Sequence, residues 1–293
     1  MNAPVSHGRS TTRLKALLGQ KRCAILPGTP NALFARVIED LGYEAVYVTG
    51  AGIANMSLGV PDIGLVTLSE ITDHVAAICD AVTVPVLADA DTGFGNALNM
   101  GRTVRALERA GAAGIQIEDQ VFPKKCGHFH GKDVVPLGEM IQKVKAAVDS
   151  RHDHDFQIVA RTDARAVHGF EDALGRAHAF IEAGADATFV EAPVSLEELA
   201  QIAQALPVPQ VANMVFGGKT PPVPQTQLAA MGYGAVLYAN AALQAALKSV
   251  REVLGSLKAD GSLDAVRDRL ASFDERQRAV AKDRYDALEA RYR

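Results

Sequence analysis

Eight short runs of β-branched and small apolar residues recur along the first 240 positions, each separated from the next by a helical pattern. They fall at 23–26, 45–49, 85–89, 114–118, 157–161, 187–191, 209–212 and 235–238. This alternation constrains the fold more than any other feature of the chain. Strands that each precede a helix return parallel to one another. Strands that read as continuous apolar runs rather than alternating ones are buried on both faces. Eight such units predict an α/β fold, a single (β/α)8 barrel of the TIM type, and a barrel of roughly 250 residues is an ordinary size. The chain has 293 residues.

The junctions repeat as well. Gly42, Gly111, Gly184 and Gly232 each stand just after a helical pattern and just before a strand, where a left-handed residue ends a helix. No domain boundary is visible between 13 and 240. The expected organisation is a catalytic barrel over 1–240 and a helical tail over 241–293. Two stretches depart from the repeat. The connection from 118 to 136 is long and rich in Lys, Gly and His, as functional loops are. The charged, Ala-rich tail reads either as a solvated helix pair or as a contact with a neighbouring subunit.

Composition narrows the function. Net charge is −4 with no basic stripe and no Trp, which argues against nucleic-acid binding. Three cysteines, Cys23, Cys79 and Cys126, are too few and too scattered for a disulfide framework. The first twelve residues lack the apolar core of a signal peptide, and no stretch approaches the roughly 20 apolar residues of a membrane span. The expectation is a cytoplasmic protein that engages no membrane.

Active sites of such barrels lie at the C-terminal ends of the strands, and polar residues crowd there. The second strand runs into Thr49-Gly50-Ala51-Gly52 and the third into Asp89-Ala90-Asp91. The fourth ends Glu118-Asp119, the fifth Arg161-Thr162-Asp163, the sixth at Glu191, and the seventh runs into Asn213. Carboxylates gathered on one rim repel one another, and a divalent cation relieves that repulsion. Asp89 and Asp91, two apart on an extended segment, face one side, and with Glu118 they read as a metal site. All-oxygen ligands without a dedicated cage favour Mg²⁺, with Mn²⁺ as the substitute. The alternative is that these acids cap helices or form loop salt bridges. Arg161 suits bidentate binding of a substrate carboxylate; its alternative is an ion pair with Asp163 or Glu191. Gly50 and Gly52 admit close backbone approach to an anion, or simply make a tight turn. In the 122–128 loop, Lys124 and Lys125 precede Cys126, with His128 two residues on. Positive neighbours lower a thiol's pKa. The glycines Gly127 and Gly131 permit the loop to swing, and zinc would find an incomplete ligand set there.

Taken together, the motifs Tyr47-Val-Thr-Gly-Ala-Gly52, Gly59-Val-Pro-Asp62, Asp89-Ala-Asp-Thr-Gly-Phe-Gly95, Ile117-Glu-Asp-Gln120, Lys124-Lys-Cys-Gly-His128, Ala160-Arg-Thr-Asp163 and Asn213-Met214 resemble the isocitrate lyase / phosphoenolpyruvate mutase superfamily, in order over about 15–255. The Lys-Lys-Cys-Gly-His segment is similar to the gating loop of the lyase branch, whose activities include cleavage of 2-methylisocitrate and 2-alkylmalates. The resemblance implies carbon–carbon cleavage of a small 2-hydroxy polycarboxylic acid, with Cys126 as proton donor, His128 in the same loop, and Glu191 in contact with the substrate or the metal waters. It implies Mg²⁺ at Asp89, with Asp91 and Glu118 acting largely through water and Asp62 nearby. Tyr47, Thr49, Gly50, Ala51, Lys124, Gly127 and Asn213 would meet the substrate, and Arg161 its carboxylate. It also implies a homotetramer with exchanged C-terminal helices. Oxaloacetate hydrolysis or decarboxylation, and phosphonate mutation, are the other chemistries of such a site. Phe216 stands where many relatives carry Glu, and is expected to favour an alkyl substituent on the substrate.

Overall fold

The computed structural model describes residues 8–125, 127 and 131–293. Its first helix, α1 (Ser10–Gly19), precedes the barrel. The strands are β1 (Ala24–Thr29), β2 (Val46–Val48), β3 (Val86–Asp89), β4 (Gly114–Glu118), β5 (Gln157–Thr162), β6 (Ala187–Val190), β7 (Val211–Asn213) and β8 (Ala235–Tyr238). Between them run α2 (Ala32–Asp40), α3 (Gly50–Ile53), α4 (Leu68–Ala81), α5 (Ala97–Arg109), α6 (Leu137–Ser150), α7 (Phe170–Glu182), α8 (Leu196–Ala205) and α9 (Gln225–Met231). All eight strands are parallel, in the order β6-β5-β4-β3-β2-β1-β8-β7. A parallel bridge from Thr188 of β6 to Gln210, just before β7, draws the two ends together, reinforced by the Thr188 hydroxyl donating to Gln210 Oε1 at 2.8 Å. The result is the (β/α)8 barrel. Every residue of β4 and β5 is buried, which is why these segments read as unbroken runs.

Local chemistry sets the element ends. Thr67 and Glu70 cap the start of α4 reciprocally, and Asn96 and Asn99 do the same for α5. Gly42, Gly111, Gly184 and Gly232 all have φ between +85° and +105°, the left-handed stop that the repeat pattern predicts.

The barrel is closed from below and open only above. Leu14, Leu17 and Leu18 of α1 pack with Leu26, Leu87, Val159, Phe189 and Leu237 in one interior cluster, so α1 plugs the N-terminal end. Thr11 and Lys15 fix it to Asp153 and Asp155 at 2.7 and 2.8 Å. Chemistry is thereby confined to the C-terminal rim.

The chain continues past β8 into α10 (Ala241–Asp260), a 3-10 segment Asp264–Arg269 kinked at Val266, α11 (Phe273–Ala279) and α12 (Lys282–Tyr292). Val253 is the buried residue of α10, while Leu247, Val250, Leu254 and Leu257 stand exposed along it. Among the described residues, no helix is long and apolar enough to cross a membrane.

Candidate active site

Each predicted rim residue emerges where its strand stops. Tyr47 of β2 is buried, and burial together with the neighbouring Asp89 carboxylate, to which its hydroxyl is hydrogen-bonded, pushes its pKa well above the ordinary phenol value. Thr49 caps α3, its hydroxyl accepting from Gly52 N–H at 3.2 Å. That short helix turns the Gly50 N–H onto Asp89 Oδ2 at 3.3 Å. A Cβ on Gly50 would lie 3.1 Å from the same oxygen, so the glycine makes this approach possible.

Asp89 and Asp91 do converge, though not through strand alternation. The strand ends at Asp89, and Asp91 has φ +46°, a left-handed turn uncommon outside glycine. That turn brings the Asp91 N–H to Asp89 Oδ1 at 3.2 Å. Lys124 reaches in from the long loop and places its ammonium 2.5 Å from Asp62 and 2.9 Å from Asp91. Burial raises the Asp91 pKa to about 6, against the pull of Lys124 and with a push from Asp89 and Asp62. Burial likewise holds Glu118 well above the usual carboxylate range, although Arg161 opposes it.

Do these residues fit a cation? Among the described residues, no three His, Cys, Asp or Glu side chains form a closed metal cage, and the set expected at Asp89, Asp91 and Glu118 is an open one that acts largely through water. Asp62 serves as an ion-pair partner of Lys124. Yet Glu118 Oε1 is buried without a hydrogen-bond partner, and Asp91 Oδ1 has the Lys124 ammonium alone beside it. Several hard oxygens around one ammonium leave uncompensated negative charge. An open oxygen set of this kind suits an ion that keeps most of its waters.

Arg161 makes the ion pair with Asp163 and also borders the cavity. The residue is buried, 8% exposed. It donates to Asp163 through Nε at 2.9 Å and Nη2 at 3.1 Å. Nη1 lies 3.2 Å from Glu118, and the group stacks on the Phe189 ring at 5.3 Å. Asp163 therefore fixes the plane of the guanidinium in a residue that borders the cavity. Asp119 supports Asp163 in turn, accepting from the Asp163 N–H at 2.9 Å, the Thr162 hydroxyl at 2.7 Å and Arg176 at 3.2 Å.

The cavity enclosed by these groups is about 40 Å³, room for a few waters. Tyr47, Thr49, Ala51, Asp62, Asp89, Lys124, Gly127, Arg161, Glu191 and Asn213 all border it, so most of the residues singled out in the sequence meet at one place. Lys124 and Gly127 form its roof. A Cβ on Gly127 would fall 2.5 Å from both Arg161 Nη2 and Glu191 Oε1. Asn213 Oδ1 is buried with no partner and borders the same space. Cys126 and His128 lie outside the described residues. Phe216 does not border this cavity: it is 89% exposed and lines a separate outer cavity of about 520 Å³, so the expected contact with a substrate substituent is corrected. Val215, one residue earlier, takes the inner position. Sequence reasoning also missed Phe189, Asn240 and Lys132. Phe189 and Asn240 sit at the tops of β6 and β8, which a count of strand ends reaches; Lys132 carries no such signal.

Residues 14–258 match the model of the family described as phosphoenolpyruvate phosphomutase. The chain belongs to this family. It is 44% identical to 2,3-dimethylmalate lyase of Eubacterium barkeri over 283 residues, covering 97% of this chain and 98% of that one. Among solved structures, oxaloacetate acetylhydrolase in complex with the inhibitor 3,3-difluorooxalacetate superposes with a TM-score of 0.90 at 32% identity, covering 96% of each chain. Phosphonopyruvate hydrolase in complex with oxalate and Mg²⁺ superposes with a TM-score of 0.88 at 32% identity, covering 97% of this chain and 99% of that one. The chain is thus a member of an enzyme family whose relatives include carbon–carbon lyases.

Proposed function

We propose that the protein is a Mg²⁺-dependent carbon–carbon lyase. It splits a small 2-hydroxy di- or tricarboxylic acid, of the 2-alkylmalate or 2-methylisocitrate type, into a 2-oxo acid and a carboxylic acid. The observation that carries this reading is the enclosed rim cavity, where a guanidinium held flat by Asp163 faces carboxylates with uncompensated charge. Near-full-length identity to a 2,3-dimethylmalate lyase supports it.

Asp89, with Asp91 and Glu118 behind it, would hold the cation. When bound, such an ion stabilises charge developing on the substrate's 2-oxygen. Arg161, oriented by Asp163, binds a substrate carboxylate on the side that borders the cavity, and Thr49, Gly50 and Ala51 support the 2-oxo acid half. Glu191 receives the 2-hydroxyl proton as the C2–C3 bond breaks. The bonding electrons pass to the departing fragment, whose carbon takes a proton from Cys126. The roof of Lys124 and Gly127 excludes water, which strengthens each of these interactions. The exposed Leu247, Val250, Leu254 and Leu257 stripe on α10 supports a homotetramer built through the tail, and light scattering of the purified protein tests it.

The deciding experiment offers 2,3-dimethylmalate, 2-methylisocitrate, isocitrate and oxaloacetate separately with Mg²⁺, following the 2-oxo acid through lactate dehydrogenase. Turnover of a hydroxy acid that EDTA and Asp89→Ala both abolish is the expected result. A second reading, oxaloacetate hydrolysis, is favoured by the small cavity and the likeness to oxaloacetate acetylhydrolase. Oxalate formed from oxaloacetate, with every hydroxy acid untouched, replaces the first reading with the second.

A further inference from the structure

Lys132 borders no part of the cavity, yet its side chain is only 2% exposed. Its ammonium donates to the Gly127 carbonyl oxygen at 2.5 Å and to Asp163 Oδ1 at 2.5 Å. A buried ammonium is costly unless it is paired and hydrogen-bonded, and here both partners belong to the machinery of the site. Gly127 backs onto Arg161 and Glu191. Asp163 clamps the Arg161 guanidinium, and its Oδ1 is shared between Lys132 and Arg161 Nη2.

We propose that Lys132 is a positioning residue that ties the Gly127 backbone to Asp163, joining the roof of the cavity to the carboxylate that orients Arg161. The neighbouring ties are distinct from it. Gln120 holds the Lys125 backbone from both sides, at 2.8 and 2.9 Å, and the Lys125 ammonium donates to Gly131 O at 2.7 Å. The stem of the loop is fixed by an antiparallel bridge between Gln120 and Val134. Loss of Lys132 leaves these in place and frees the roof from the rim. Asp163 Oδ1 is then held by Arg161 alone, and the Gly127 carbonyl loses its donor.

The kinetic arm of the test rests on the lyase reading; the proteolytic arm does not. Native protein, Lys132→Met and Lys132→Arg are exposed to trypsin without substrate, and cleavage after Lys124 or Lys125 is followed by mass spectrometry. Lys132→Met is nicked about tenfold faster or more, as expected for loss of charge-assisted hydrogen bonds, while Lys132→Arg stays near the native rate. With 2,3-dimethylmalate, Lys132→Met raises KM about tenfold and lowers kcat less, and Lys132→Arg recovers most of the loss. Should Lys132→Met lose cooperative melting, Lys132→Gln, which keeps a neutral donor, is read in the same way. Native nicking rates together with a native KM in the charge-free variant overturn the proposal. If the native protein cleaves none of the acids, the lyase reading falls, and the nicking rates alone decide the role of Lys132.

Discussion

Adding one methyl group at Gly127 tests the closed geometry most directly. In Gly127→Ala the new Cβ falls 2.5 Å from Arg161 Nη2, 2.5 Å from Glu191 Oε1 and 2.8 Å from Glu191 Cδ. Arg161 cannot retreat, because Asp163 and Glu118 hold it on two sides and Phe189 lies against it. Glu191 is itself buried. The loop must therefore lift by roughly 1 Å, and misplacement on that scale costs on the order of 100-fold in rate, equivalent to about 2.7 kcal/mol of barrier. Because the strain is relieved by moving a loop rather than the core, unfolding free energy should change by less than about 0.5 kcal/mol. Gly175→Ala is the control: it lies inside α7 with nothing within 4 Å of the added atom, and should be stabilising by about 0.5–1 kcal/mol. Steady-state kinetics and urea melts on both variants provide the assay. A Gly127→Ala enzyme within about twofold of native kcat/KM would show that this roof position plays no part in turnover.

Two further outcomes follow from the buried network and the thiols. Asp119→Ala removes the acceptor shared by Thr162, Asp163 and Arg176, orphans the buried Thr162 hydroxyl and Asp163 N–H, and leaves Arg176 with Asp172 and the Val135 carbonyl. The variant should lose about 3 kcal/mol in urea melts, and a loss below about 1 kcal/mol would mean the network relaxes freely. Burial pushes the Cys23 and Cys79 thiols up to about 12, so at pH 8 both remain protonated and poorly nucleophilic. Iodoacetamide at that pH should leave both unmodified in native protein while labelling them after denaturation; rapid native labelling of either would contradict the burial.

The barrel was legible because its signals are local and repeated. Eight apolar runs and four left-handed glycine stops each report the conformation of a few neighbouring residues, and their order leaves one parallel architecture. The rim residues were legible for a related reason: a strand's last residue projects at the barrel mouth whatever lies across from it. The resemblance of the motifs named the superfamily, which the family match bears out, and the lyase class, which the likeness to 2,3-dimethylmalate lyase supports.

Interactions between strand ends, by contrast, depend on distances that no periodicity encodes. Asp89 and Asp91 meet through a left-handed turn rather than through alternation. Lys124, from a loop more than thirty residues away in sequence, sits among their carboxylates. Phe216 points outward although its neighbour Val215 faces the cavity. Lys132 looks like any loop lysine until Asp163, brought near by the pairing of β4 with β5, receives its ammonium. Sequence by itself determined which residues reach the mouth of the barrel. Tertiary structure decided which of them pair, because the energy of a buried charge depends on the partners that the fold places within hydrogen-bond reach.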